Sequence, residues 1–257
     1  MSNSDLAIER DGPVATVRLA RPDKRNALRL ELVDRIGQFF AAPPRGVRAI
    51  VLAGAGKHFC AGLDLDENRQ RTPFEAMETS SAWHRAFDHI EHGRVPVVAA
   101  LHGAVVGGGM ELALAAHVRV ADPTAFYALP EGRLGIFVGG GGSVRIGRVL
   151  GADRMREMML TGRRLTAEDG QRLGVSHHLA DAGQAPDRAH EIALQIAGNA
   201  PLTNQLILTA LPRIADMSSS DGLWAEALAT AVSQGTEDAV EGMSAFLQKR
   251  PPQFRGA

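Results

Sequence analysis

Residues 95–116 read VPVVAALHGAVVGGGMELALAA. The apolar run from Val97 to Leu101 stops at His102-Gly103, and the triplet Gly107-Gly108-Gly109 follows. Met110-Glu111-Leu112 then opens a run of helix formers with one carboxylate among apolar neighbours. The pattern predicts a strand, a tight glycine turn and a helix start. Such a junction presents unsatisfied backbone N–H groups and the positive end of a helix to whatever lies in front of it. A membrane span is the bland alternative for so apolar a stretch. The triplet, Glu111 and His102 argue against it, because a spanning helix tolerates them poorly.

Outward from this stretch, strands alternate with helices and then give way to helices alone. Residues 4–10 and 14–19 predict two short strands about the turn Asp11-Gly12-Pro13, and residues 49–53 (AIVLA) predict a buried strand. Helices are expected over 30–40 and 75–91, and a further strand over 117–121. Helices follow at 143–150, 154–160, 167–173 and 186–198. Residues 201–248 read as helical, interrupted by Pro212 and by a turn at Ser218–Ser220. This order predicts an α/β core over residues 1–198 with an α-helical appendage over 199–257.

The bulk numbers narrow the function classes. The chain has 257 residues, 22% of them charged, and a formal net charge of −1. Near-neutral charge gives no electrostatic reason to expect a nucleic acid or an acidic membrane as partner. A single cysteine, Cys60, excludes an intramolecular disulfide and a multi-cysteine zinc site. The N-terminal residues MSNSDLAIERDG lack the basic flank and apolar core of a secretory signal, so a cytoplasmic location is expected.

Three segments can carry chemistry. Gly108 and Glu111 stand three apart and share one helix face, so an amide donor and a carboxylate border the same space. A donor steadies a developing oxyanion while a carboxylate moves a proton, an arrangement suited to enolate chemistry. From this stretch alone, a carboxylate that merely complements the helix dipole reads equally well. The second segment, GAGKHFCAGLDL (54–65), sets small residues where a ligand can approach the backbone. It is no phosphate-binding P-loop, which needs glycine at Val51 and Ser or Thr at His58. Cys60 reads as a buried packing residue. The third is Pro130-Glu131-Gly132, a second carboxylate beside a glycine-rich turn, and two such carboxylates raise the prospect of an acid/base pair. Gly139–Gly142 is no dinucleotide fingerprint and reads as close packing or a helix start. No metal spacing is present around His84, His89 or His177-His178, and Ser143 lies in no nucleophile elbow.

In order along nearly the whole chain, these segments resemble the crotonase superfamily of enoyl-CoA hydratases and isomerases. The resemblance rests on RPDKRNAL (21–28), GAGKHFCAGLDL (54–65), PVVAALHGAVVGGGMELALAAHVRVAD (96–122) and LPEGRLGIFVGGGG (129–142). It continues through MLTGRRLTAEDGQRLGVSHHL (159–179) and EGMSAFLQKRPPQF (241–254). It implies a spiral of ββα units with a helical C-terminal region that forms trimers, often paired into hexamers. It also implies that the Leu63 and Gly108 N–H groups hold a thioester carbonyl, while Glu111 and Glu131 share a water. Lys24, Arg25, Ala27 and Gly107, with the backbone at Ala61, Asp64 and Leu65, fall where the family binds its acyl-CoA. Phe246 and Lys249 fall where a subunit's tail reaches a neighbour's CoA.

The implied activity is hydration of a 2-enoyl-CoA in fatty acid metabolism, with no cofactor beyond the CoA of the substrate, no metal, no nucleic acid and no membrane. A double-bond isomerase is the alternative within the fold. A non-catalytic acyl-CoA-binding or nucleic-acid-binding protein is the alternative outside the enzymes. One departure stands out: many hydratases carry proline where this chain has Val138, and Gly140 is an additional glycine.

Overall fold

The computed structural model describes residues 5–66 and 71–256. Residue 4, where the first strand was expected to start, lies outside that range, as do residues 1–3, 67–70 and 257.

The chain enters as an antiparallel hairpin of β1 (Leu6–Asp11) and β2 (Val14–Leu19), followed by α1 (Leu30–Ala41) and β3 (Ala49–Gly54). Next come α2 (Pro73–Glu91), β4 (Val97–Leu101), β5 (Ala104–Val106), α3 (Gly108–Ala115), β6 (Val118–Ala121) and β7 (Phe126–Ala128). Then follow α4 (Glu131–Leu134), α5 (Gly142–Leu150), α6 (Ala152–Thr161), β8 (Arg164–Thr166), α7 (Ala167–Arg172) and β9 (His178–Leu179). The chain closes with α8 (Ala185–Ala197), α9 (Pro201–Ile214), α10 (Ser219–Gln234) and α11 (Glu237–Leu247).

Six strands form one sheet in the order β1-β2-β3-β4-β6-β9, parallel from β2 onward. Its central strands are continuous apolar runs because both faces are covered. Ile50, Leu52, Val97 and Ala99 face the main core with Leu32, Ile36, Phe87 and Ile90. The alternate residues Val51, Ala53, Val98 and Ala100 pack on Ala185, Ala189 and Ala193 of α8. Strand periodicity thus divides one run between two cores. A smaller sheet, β5-β7-β8, stands beside the first.

The α/β class and the helical C-terminal region agree with expectation. The short elements β7, β8, β9 and α4 were not expected, and three further details differ for a clear physical reason. The 95–116 stretch holds two strands, because the chain turns at His102-Gly103 and β5 leaves for the second sheet, pairing with β7. Three residues are too few to show a period. Helix α2 begins two residues earlier than its apolar pattern, at Pro73, because Thr72 and Glu75 form a reciprocal capping box. Pro212 does not interrupt α9. It sits two residues before the helix end, so the bond it denies the Leu208 carbonyl falls in the last turn and little helix lies beyond it.

Candidate active site

All eight residues of α3 are buried, as suits a helix that is apolar all round. It starts directly after Gly107, whose φ of 52° and ψ of −122° suit only glycine. A methyl group at Gly107 would also lie 2.9 Å from Glu131 Oε1, so the turn brings the backbone against the second carboxylate.

Glu111 is 3% exposed in the first turn of α3. Its Oε1 accepts the Gly140 N–H at 2.8 Å and the Gly142 N–H at 2.7 Å. Burial raises the carboxyl's pKa, and these amides and the Arg145 charge oppose the rise. Glu131 opens α4 and is 5% exposed, and its buried Oε2 has no hydrogen-bond partner among the described residues. Burial, reinforced by the Glu111 charge, pushes its carboxyl up to about 7. Two carboxylates therefore share one space in different environments. One is anchored by amides; the other is unanchored at Oε2 and exchanges its proton near neutrality.

Opposite them, the segment around Leu63 pairs with Leu28 in a parallel bridge and crosses the start of α3. A methyl group at Gly62 would lie 3.2 Å from the Gly108 nitrogen, and one at Gly108 would lie 3.5 Å from the Leu63 nitrogen. The two amides are thus neighbours. Neither donates a hydrogen bond among the described residues. Leu63, Gly108, Glu111 and Glu131 all line one cleft of about 620 Å³. Its outer walls are Met77, Ser80, Trp83 and His84 of α2 facing Phe137 and Val138.

A family model for enoyl-CoA hydratase/isomerase matches residues 9–257. The chain belongs to the enoyl-CoA hydratase/isomerase family. A short-chain-enoyl-CoA hydratase of Clostridium acetobutylicum is 30% identical over 253 residues, 97% of either chain. The crystal structure of an enoyl-CoA hydratase from Bacillus anthracis matches with a TM-score of 0.93 at 30% identity, covering 99% of this chain and 100% of that one. A provisionally named enoyl-CoA hydratase of Rhodopseudomonas palustris matches with a TM-score of 0.93 at 49% identity over 96% of each chain. The α/β architecture with its helical C-terminal region is thus that of the crotonase fold.

The other residues that family resemblance singles out fall into two groups. Residues 21–28 and 61–66 lie side by side: Ala61 N–H donates to the Arg25 carbonyl at 3.0 Å and Asp64 N–H to the Leu28 carbonyl at 2.9 Å. Ala27 lies between these contacts. Lys24 reaches Asp66 at 3.1 Å, and the Asp64 carboxylate is tied to Arg21 at 2.8 Å. Leu65 is half exposed. Phe246, at the end of α11, and Lys249 line no part of the cleft. Phe246 is 84% exposed.

Sequence reasoning missed three things here. Asn26 organises the 21–28 loop: it is fully buried in a left-handed conformation, donates to the Ala55 and His58 carbonyls and accepts the Arg21 N–H. The 139–142 glycines supply the amides that hold Glu111, a role beyond packing or a helix start. The α2 face carrying Ser80 and His84 forms a cleft wall, which no motif signals. Cys60 is buried as expected, its thiol donating to the Asn26 carbonyl at 3.1 Å, and burial pushes it up to about 12. Asp88, Glu91 and His92 bring possible ligand atoms within 4.8 Å of one another outside this cleft. Glu91 already pairs with Arg145, and His92 Nδ1 is hydrogen-bonded to Asp88, so these groups already hold partners within the protein. No helix among the described residues is long and apolar enough to cross a membrane.

Proposed function

We propose that this protein is an enoyl-CoA hydratase, adding water across the 2,3 double bond of a 2-enoyl-CoA to give the 3-hydroxyacyl-CoA. The observation that carries this reading is the unequal pair of carboxyls facing two undonated amides. The thioester carbonyl oxygen would sit between the Leu63 and Gly108 N–H groups, an oxyanion hole that polarises the double bond. Each such donor is worth on the order of 10²–10³ in rate. Water held between the carboxyls would be delivered to Cβ with the help of Glu111, whose orientation the glycine amides fix. Glu131, with its proton available near pH 7, would protonate Cα. The step balances: the O–H bonds of the water and of Glu131 and the C=C π bond break, C–O and C–H bonds form, and the water's proton goes to Glu111, from which it returns to Glu131 before the next turnover.

The 21–28 loop with Ala61, Asp64 and Leu65 would hold the CoA portion, Lys24 and Arg25 meeting its phosphates, and no further cofactor is invoked. The same proposal puts the protein in the cytoplasm, where its lone thiol stays reduced. Residues 199–257 would be the oligomerisation region. Ile207, Trp224, Leu228 and Val232 are 48–68% exposed, an apolar face that a homotrimer, alone or paired into a hexamer, would cover. From that position Phe246 and Lys249 could reach a neighbour's CoA. Sedimentation tests the assembly: a stable monomer contradicts it.

The chemical test is incubation with crotonyl-CoA and identification of the product. A 3-hydroxyacyl-CoA, detected by a coupled dehydrogenase, supports hydration. A shifted double bond without hydroxylated product assigns the isomerase reaction instead.

A further inference from the structure

The glycine turn that holds Glu111 is itself held from outside. A peptide group is planar, with its C=O and N–H pointing opposite ways, so fixing one end fixes the other. The Gly139 carbonyl and the Gly140 N–H belong to one such plane. The Ser80 hydroxyl donates to that carbonyl at 2.7 Å, and the N–H at the far end donates to Glu111 Oε1. In the next plane the Gly140 carbonyl accepts Arg145 Nη1 at 2.8 Å, and Arg145 is anchored through Nε to Glu91 at 2.5 Å. In the third, the Gly141 carbonyl accepts the Val144 and Arg145 N–H groups that open α5, which leaves the Gly142 N–H aimed at Glu111.

A run of glycines has little torsional preference of its own, and rotating either donating plane would turn a carbonyl oxygen toward the Glu111 carboxylate. The two side-chain anchors come from opposite sides. Ser80 projects from α2 at the acyl cleft, and Arg145 from α5 at a second, mixed-charge cleft with Arg85 and Arg148. His84 Nε2 stands 3.3 Å from Ser80 Oγ and can donate to it, since the hydroxyl proton is committed to Gly139.

We propose that Ser80 and Arg145 are positioning residues, acting through the Gly139–Gly142 peptide planes to aim the Glu111 carboxylate. The kinetic half of this inference rests on the hydration reading; the structural half does not. Ser80→Ala is the cleaner probe, because it removes no charge, whereas Arg145 and Glu131 are the charged groups that act on Glu111.

The test compares Ser80→Ala, Ser80→Thr, Arg145→Lys and Arg145→Met with the parent protein. Kinetics are measured with crotonyl-CoA, and the Glu111 carboxyl is titrated by carbon-13 NMR in glutamate-labelled protein. For Ser80→Ala and Arg145→Met the expectation is a fall in kcat of roughly 10- to 100-fold with KM within about twofold. Ser80→Thr and Arg145→Lys should recover part of that loss. In Ser80→Ala the Glu111 carboxyl should titrate at higher pH, because an amide donor to the carboxylate is lost. An unmoved Glu111 titration in folded Ser80→Ala overturns the inference. So does a raised KM at unchanged kcat, which would make Ser80 a substrate contact. If the parent does not hydrate crotonyl-CoA, the hydration reading fails and the titration alone decides the positioning.

Discussion

The Gly142 amide donates to Glu111 Oε1 at 2.7 Å, so a residue without a side chain holds the carboxylate at the centre of the cleft. The contact joins the start of α5 to the first turn of α3, and it leaves no room for a side chain. A methyl group at Gly142 would lie 2.7 Å from Oε1 and 2.8 Å from Cγ of Glu111.

Gly142→Ala is therefore expected to displace the carboxylate and lower kcat about 10²-fold. Overpacking of this kind destabilises by about 1–3 kcal/mol, so the variant stays folded at moderate temperature. Steady-state kinetics and a thermal melt on the same preparation check both parts. Unchanged kcat would show that Glu111 needs no such anchor.

The elevated Glu131 pKa makes stability depend on pH. Its carboxyl sits at about 7 in the fold, above its ordinary value of 4.5. The folded protein thus binds this proton more tightly than the unfolded chain. The stabilisation is complete below pH 4.5 and is lost as pH rises through about 7, on the order of 3 kcal/mol in all. Glu131→Gln cannot ionise, so its Tm should exceed that of the parent at pH 8 and approach it at pH 5. Calorimetry at the two pH values checks this, and a constant difference between the proteins would contradict it.

Much of this site is legible in the sequence because its parts are local. The Gly108–Glu111 spacing on one helix, and Glu131 beside its own turn, can be read from neighbours in the chain. What escapes is contact across long sequence separations. Gly140 lies 29 residues from Glu111 and Gly142 lies 31, and no periodicity announces a glycine amide aimed at a carboxylate. The strand β5 escaped because three residues show no alternation. Asn26 escaped because buried loop asparagines and solvated ones look alike in sequence. The added Gly140 read as a departure from the family, yet a methyl group there would lie 2.9 Å from Phe87 and 3.1 Å from Trp83. Packing at this site requires glycine.

Asn26→Ala should strip two part-buried carbonyls and one N–H of their partners and force alanine into a left-handed turn at φ 57°. The expected loss is about 2–3 kcal/mol. CoA-ester affinity should weaken as well, because the 21–28 loop shapes the proposed CoA edge. Urea unfolding and binding titration measure the two effects. A loss of affinity without a loss of stability would make Asn26 a ligand contact instead of a loop anchor.

That Glu131 supplies the proton at Cα is tested most directly by the turnover of Glu131→Gln with crotonyl-CoA. Glutamine keeps the shape and removes the transferable proton. A fall in kcat of roughly 10³-fold or more is expected, with CoA-ester binding retained. Turnover equal to that of the parent protein, giving the same 3-hydroxyacyl product, would contradict it.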